Sequence, residues 1–415
     1  MTPSIEAVWR LEATRITGAL LRAGADLAMA EDCVQDALLV AMQRWPAEGW
    51  PERPGAWLMT AAKHRMLDRV RHTRMATREQ QVLGDGADAR AAHLAPDPLG
   101  MLLADEADEV GDDALRLMFI ACHPKLAREA QWALTLRLVA GLTVAEIARA
   151  LFAKEATIAQ RITRAKAQLA GEAFELPPAP ERAARVDAVC TVLYLMFNEG
   201  YVASSGTEWT RPTLCHEALR LARHLAALLP MDAEVQALQA LMELQASRLP
   251  ARTDALGRPV LLLDQDRSRW DRLLRRRGLD ALARCRSLNA SKSERPGALT
   301  LQAELAAVHA RATYAEDTDW SQLLHLYDAL LALQPSPVVA LNRAVALSHA
   351  IGPAQALPLI DALPLAGYPW WASTRSDLLQ RLGRIDEARE TLRQAIAWTG
   401  NEGDRVLLLE RLKRM

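Results

Sequence analysis

The sequence predicts an all-α protein. Apolar residues recur at spacings of three and four along most of its 415 residues, the signature of amphipathic helices. The periodic stretches are separated by Pro- and Gly-dense breaks and open on capping Asp or Thr. Half of the residues are hydrophobic, so a chain of this length can bury several cores.

Residues 4 to 45 read as two helices. Ala7, Val8, Leu11, Ile16, Leu20 and Leu21 form the stripe of the first, and Asp26 is a cap for the second, which runs to Trp45. On the second, Val34, Ala37, Leu38, Ala41 and Trp45 face inward, which leaves Glu31, Asp32, Gln35 and Asp36 outside. Pro46 to Gly55 is a loop. A third helix starts near Ala56 or Trp57 and ends near Met75, with basic residues opposite its apolar face.

Charge is distributed in blocks. The net charge is only −1, yet Trp57 to Arg78 holds six Lys/Arg against Asp68 alone, and Gly84 to Asp113 holds nine acids against Arg90 alone. A basic stripe beside an acidic tract is a local electrostatic feature that the overall balance hides. The acidic tract, with Pro96 and Pro98, reads as a linker.

Asp112 or Asp113 caps a helix through His123, which Pro124 ends, and another helix covers about Leu126 to Val139. Gly141 to Leu169 then carries two short amphipathic helices around a turn at Phe152 to Glu155. Thr143 with Glu146 makes a capping box. The second helix turns Gln160, Arg161, Arg164, Lys166 and Gln168 away from Ile158, Ile162 and Leu169, as a helix entering the major groove of DNA requires.

Glu175 to Glu181 is a proline-rich break read as the main domain boundary. Helices are expected over Val186 to Asn198, closed by a loop formed by Glu199-Gly200 with Ser204-Ser205-Gly206, then from Arg211 or Pro212 to Leu229, over 232–247 and over 265–285. Ala356 and Ala388 lie 32 positions apart, near the period of about 34 residues in tetratricopeptide repeats. Stacked hairpins of that kind form a concave surface, which receives a protein or peptide partner or packs on a neighbouring domain.

Two blocks carry a resemblance. AEDCVQDALLVAMQRW, a short loop and GAWLMTAAKHRMLDRVRH resemble region 2 of extracytoplasmic-function sigma factors, of the sigma-70 family. DALRLMFIACHPKL followed by the helix-turn-helix resembles their region 4. YLMFNEGY, LLLDQDRSRWDR and EDTDWSQLLHLYDALL look like the subgroup with a long helical extension. The expected domains are region 2 at 1–80, the linker at 81–111, region 4 at 112–174, an extension domain at 182–290 and tetratricopeptide-like repeats at 291–415.

The resemblance implies a factor that binds core RNA polymerase, through the β′ clamp helices and β flap, and directs it to promoters under the control of its own extension. Glu31, Asp32, Gln35 and Asp36 fall where such factors meet the clamp. Lys63, His64, Arg65, Asp68, Arg69, Arg71 and Arg74 fall on the segment reading the −10 element, with Trp50 in the loop as a stacking platform for an unstacked base. His64 stands where the family has Asn. Thr157, Gln160, Arg161, Arg164 and Lys166 fall where the −35 element is contacted. A helix-turn-helix regulator acting without polymerase is the rival, and it has no use for the acidic face of the second helix.

No catalytic residues are expected. Asp254, Asp264 and Asp266 are a thin case for a cation, His216-Glu217 lacks the second histidine of a zincin, and no phosphate loop appears. Five scattered cysteines without a CxxC pair predict neither disulfides nor a zinc site. No cofactor or metal is expected, and without an apolar run of membrane length or a secretory leader the expected address is the cytoplasm.

Overall fold

The computed structural model describes residues 5–82, 113–151, 153–172, 174–202 and 211–415, leaving out the side chains at 6, 7, 10, 11 and 73–82. Most of the acidic linker, the side chain of Arg74, and Phe152 therefore lie outside the description. The described residues form eighteen α-helices and short 3-10 turns, with one isolated bridge between Thr253 and Pro259. They fall into two compact units, Met1–Val192 and Leu193–Met415.

The first unit begins with α1 (Ile5–Arg22), α2 (Leu27–Glu48) and α3 (Pro54–Val82). Ile16 and Leu20 of α1, Val34, Ala37 and Ala41 of α2, and Leu58, Ala62 and Met66 of α3 form their common core. Fully burying a side chain such as Leu58 contributes about 2 kcal/mol. Asp26 caps α2 by accepting from the Met29 N–H at 2.7 Å.

The loop after α2 is shorter than expected. Helix α2 continues through Pro46 to Glu48, because a proline in the last turn forfeits only one intrahelical bond. Helix α3 starts at Pro54, where a ring that fixes φ and lacks an N–H suits a first helical position.

The same unit continues with α4 (Asp113–Ala121), α5 (Arg128–Leu138), α6 (Val144–Ala150), α7 (Glu155–Gln168) and the first part of α8 (Ala179–Tyr201). The capping box forms: the Thr143 N–H donates to Glu146 Oε2 at 2.8 Å and the Glu146 N–H to Thr143 Oγ1 at 3.2 Å. Ile158, Ile162 and Ala165 seat α7 inward, and α7 packs on α5. The dividing line between the units falls inside α8, after Val192. The reason is local: Arg185 of α8 donates to the Phe119 carbonyl at 2.9 Å, and Asp187 pairs with Arg128 at 2.9 Å.

Helix α8 runs through Glu199 and Gly200, expected as a loop, to Tyr201. A Cβ at Gly200 would sit 2.7 Å from the Cys215 nitrogen, so glycine is used here for the approach of α9 (Pro212–Leu228). Next, α10 (Ala233–Ala246) packs against α11 (Arg272–Lys292) and α12 (Ala298–Arg311) through small residues, among them Ala237, Ala240, Ala281 and Ala303. Helix α11 begins seven residues later than expected, because two aspartates stop the chain twice. Asp266 accepts from the Ser268 N–H at 3.0 Å in a 3-10 turn, and Asp271 caps α11 through the Leu273 and Leu274 N–H groups at 2.8 and 2.9 Å.

From there α13 (Trp320–Leu333), α14 (Pro337–Ala350), α15 (Pro353–Asp361), α16 (Pro369–Arg381), α17 (Ile385–Trp398) and α18 (Glu402–Arg414) each pack on the next in the chain. This is the stack of helical hairpins that the repeat spacing predicts. Ala356 and Ala388 are both fully buried, and Gly383, at φ +78°, turns α16 into α17.

Candidate functional site

The acidic face of α2 is occupied from two sides. Asp32 and Asp36, one turn apart, both accept from the Arg69 guanidinium of α3, at 2.8 and 3.0 Å. Burial and like charge make Cys33 beneath them harder to ionise. Asp32 and Gln35 are exposed and Asp36 is half-buried. Glu31 departs from the expected pattern. It is 9% exposed, because it lies against the second helical domain and not in solvent.

There the Glu31 carboxylate forms an ion pair with Lys166 of α7, one of the residues expected on −35 DNA. Arg137 of α5 approaches at 3.8 Å, and the Gln35 amide donates to Glu31 at 3.2 Å. The contact continues along α1. The Thr14 hydroxyl is shared between the Leu138 and Val139 carbonyls at 3.1 and 3.2 Å, which satisfies acceptors that the end of α5 leaves open. Arg22 pairs with Asp113, and a Cβ at Gly18 would lie 2.6 Å from the Asp113 Cβ, so glycine is what lets α1 and α4 meet.

Of the expected −10 residues, Lys63, His64, Arg65, Asp68, Arg69 and Arg71 lie on the described part of α3. His64, Arg65, Asp68 and Arg71 are exposed, Lys63 and Arg69 half-buried, and Arg71 lies 3.9 Å from Asp68. Trp50 packs on Trp45 with ring centroids 4.9 Å apart, and Trp57 meets Trp45 edge-on at 5.6 Å. Trp45 is buried and Trp50 is 37% exposed, so one indole is held in place and still offers surface for a stacked base.

On α7, Thr157, Gln160 and Arg164 are exposed, Arg161 is half-buried and Lys166 is turned to Glu31. Sequence reasoning missed Thr14, Arg22, Arg137 and Arg185, which join elements far apart in the chain. Helical spacing carries no signal for such pairs. Among the described residues, no three His, Cys, Asp or Glu side chains could hold a metal ion together, and no helix is long and apolar enough to cross a membrane.

Comparison with known proteins assigns these modules. Residues 9–75 match Sigma-70 region 2, residues 116–169 match Sigma-70, region 4, and residues 185–286 match a family of unknown function, DUF6596. An uncharacterized protein of Rhizobium meliloti (strain 1021), R00370, is 42% identical over 395 residues, covering 93% of this chain and 90% of that one. No solved structure matches. The chain belongs to the sigma-70 family of transcription initiation factors, in the form that carries a long helical extension. Its role is promoter recognition, with core RNA polymerase and promoter DNA as partners.

Proposed function

We propose that Asp32, Gln35 and Asp36 dock this sigma factor on the polymerase clamp, and that the α3 surface from Lys63 to Arg74 with Trp50 engages the −10 element. Thr157, Gln160, Arg161 and Arg164 engage the −35 element. In the free chain, regions 2 and 4 are closed on one another, and the extension sets how readily they part. A peptide or protein partner at the helical repeats is one input to that control.

The observation that supports this reading is the Glu31–Lys166 pair. Lys166 cannot meet a DNA phosphate while it neutralises Glu31, and Arg69 is engaged by Asp32 and Asp36 in the same way. Both sides of the Glu31 pair are largely shielded from water, and a coupling on the order of 1–3 kcal/mol between the two modules is enough to bias a closed–open equilibrium by roughly 5–150-fold. The extension has a handle on this arrangement, since α8 begins on region 4 through Arg185 and Asp187.

The test compares the full chain with a truncation after Gly171 in run-off transcription by added core polymerase. The truncated chain is expected to initiate at an altered level. Unchanged promoter-directed transcription would overturn control by the extension. Reversing both charges, E31K with K166E, is expected to restore full-chain behaviour that either single change disturbs.

A further inference from the structure

Two motifs that the promoter and polymerase surfaces leave unused, YLMFNEGY and LLLDQDRSRWDR, meet inside the second unit. The Arg252 guanidinium lies 3.7 Å from the centroid of the Tyr201 ring. Arg248 lies 5.7 Å from the same ring and 6.0 Å from that of Trp270, and Arg267 lies 5.1 Å from Trp270. Arg252 and Arg267 are buried, whereas Arg248 is half-buried. Arg267 is fixed by the His309 and Ala312 carbonyls at 3.0 and 2.9 Å and by Thr318 Oγ1 at 3.1 Å.

Among the described residues, no Asp or Glu side chain pairs with Arg248 or Arg267, and the acids whose charge reaches Arg267 are the exposed Asp317 and Glu316. The Nε atoms of Arg248 and Arg267, Nδ1 of His309 and Nε1 of Trp270 are buried with no hydrogen-bond partner among the described residues. A guanidinium cannot escape such a site by losing its proton. His309 can: burial first, then Arg248 and Arg267, push its pKa down to about 3. Buried cations and open donors of this kind are costly unless something answers them.

We infer that this cluster is a binding site for an anionic group, phosphate or carboxylate, carried by a small molecule that enters past Arg248 and is held by Arg248 with the guanidinium of Arg267 behind it. The inference concerns the extension alone and does not rest on the assigned polymerase or promoter contacts. An aromatic-walled guanidinium cluster suits such a ligand, because the planar fork meets two oxygens at once while the rings exclude water.

The full-length protein is titrated calorimetrically with inorganic phosphate and, separately, with succinate, at ionic strength held constant with chloride. Saturable binding of at least one probe is expected, and the preferred probe tells phosphate from carboxylate. Arg248→Met is expected to weaken it by roughly 10-fold or more, the scale of a lost charge-assisted hydrogen bond, and to unfold no earlier than the parent because a like charge has been removed. Should that variant fail to fold by circular dichroism, Arg248→Lys, which keeps the charge and loses the fork, is expected to bind severalfold more weakly. Absence of saturable binding by both probes at millimolar concentration, or equal affinity in the folded variant, would overturn the inference.

Discussion

Lys166 of the recognition helix is ion-paired with Glu31 of α2, so a residue in line for promoter DNA is joined to one in line for polymerase. Opening the two modules exposes both partners to water, and closing them hides both. On the proposed reading the pair is a stability element and a functional one together. Lys166→Ala leaves the mostly buried carboxylate with the Gln35 amide at 3.2 Å and Arg137 at 3.8 Å, but without its closest counter-charge. Urea denaturation is expected to show a loss of about 1–3 kcal/mol, the cost of an unanswered buried charge. Glu31→Gln is expected to lose less and to bind a −35 duplex more tightly in fluorescence anisotropy.

Arg69 joins Asp32 and Asp36 at the protein surface, where exposed ion pairs contribute about 0–1 kcal/mol. Asp32→Ala combined with Asp36→Ala should accordingly leave the melting temperature almost unchanged. Binding to core polymerase, measured by biolayer interferometry, is expected to fall by about 10-fold or more if these carboxylates dock on the clamp. Duplex binding through α7 is expected to stay as it was.

The sequence made the helical class, the capping box at Thr143 and Glu146 and the stripe Ile158–Ile162 legible, because each rests on residues within a few positions of one another. It did not reveal that Glu31 is covered. On α2 alone Glu31 and Asp32 are equivalent acids, and only the approach of α5 and α7, more than a hundred residues on, separates them. The start of α11 is not legible for a local reason, since Asp264, Asp266 and Asp271 are all chemically able to cap a helix and spacing does not rank them. Gly200 looked like a loop signal because the sequence cannot show that Cys215 approaches it.

Gly200 offers a packing test. Its missing side chain admits the Cys215 backbone, so Gly200→Ala must push α8 and α9 apart. Thermal unfolding of the full chain is expected to show the extension destabilised by about 1–3 kcal/mol, the range for overpacking a fitted contact, with the region 2 module unaffected.

The extension should weaken in acid through His309. Its folded-state pKa is depressed to about 3 by burial and by Arg248 and Arg267, while the unfolded chain titrates near 6.5. The unfolded state thus takes up the proton first. The contribution of this group is complete above pH 6.5 and declines as pH falls toward 3, by up to about 1.4 kcal/mol per pH unit. Denaturant melts between pH 7 and pH 4 are expected to show a steeper loss for the parent than for His309→Phe.

This chain is expected to give polymerase its promoter. The direct measurement is run-off transcription by core enzyme, with and without the full chain, on a library of genomic promoter fragments. Discrete transcripts that depend on the chain and vanish with the Asp32→Ala, Asp36→Ala variant are the predicted result. No chain-dependent transcript, together with no binding to core enzyme, would contradict it.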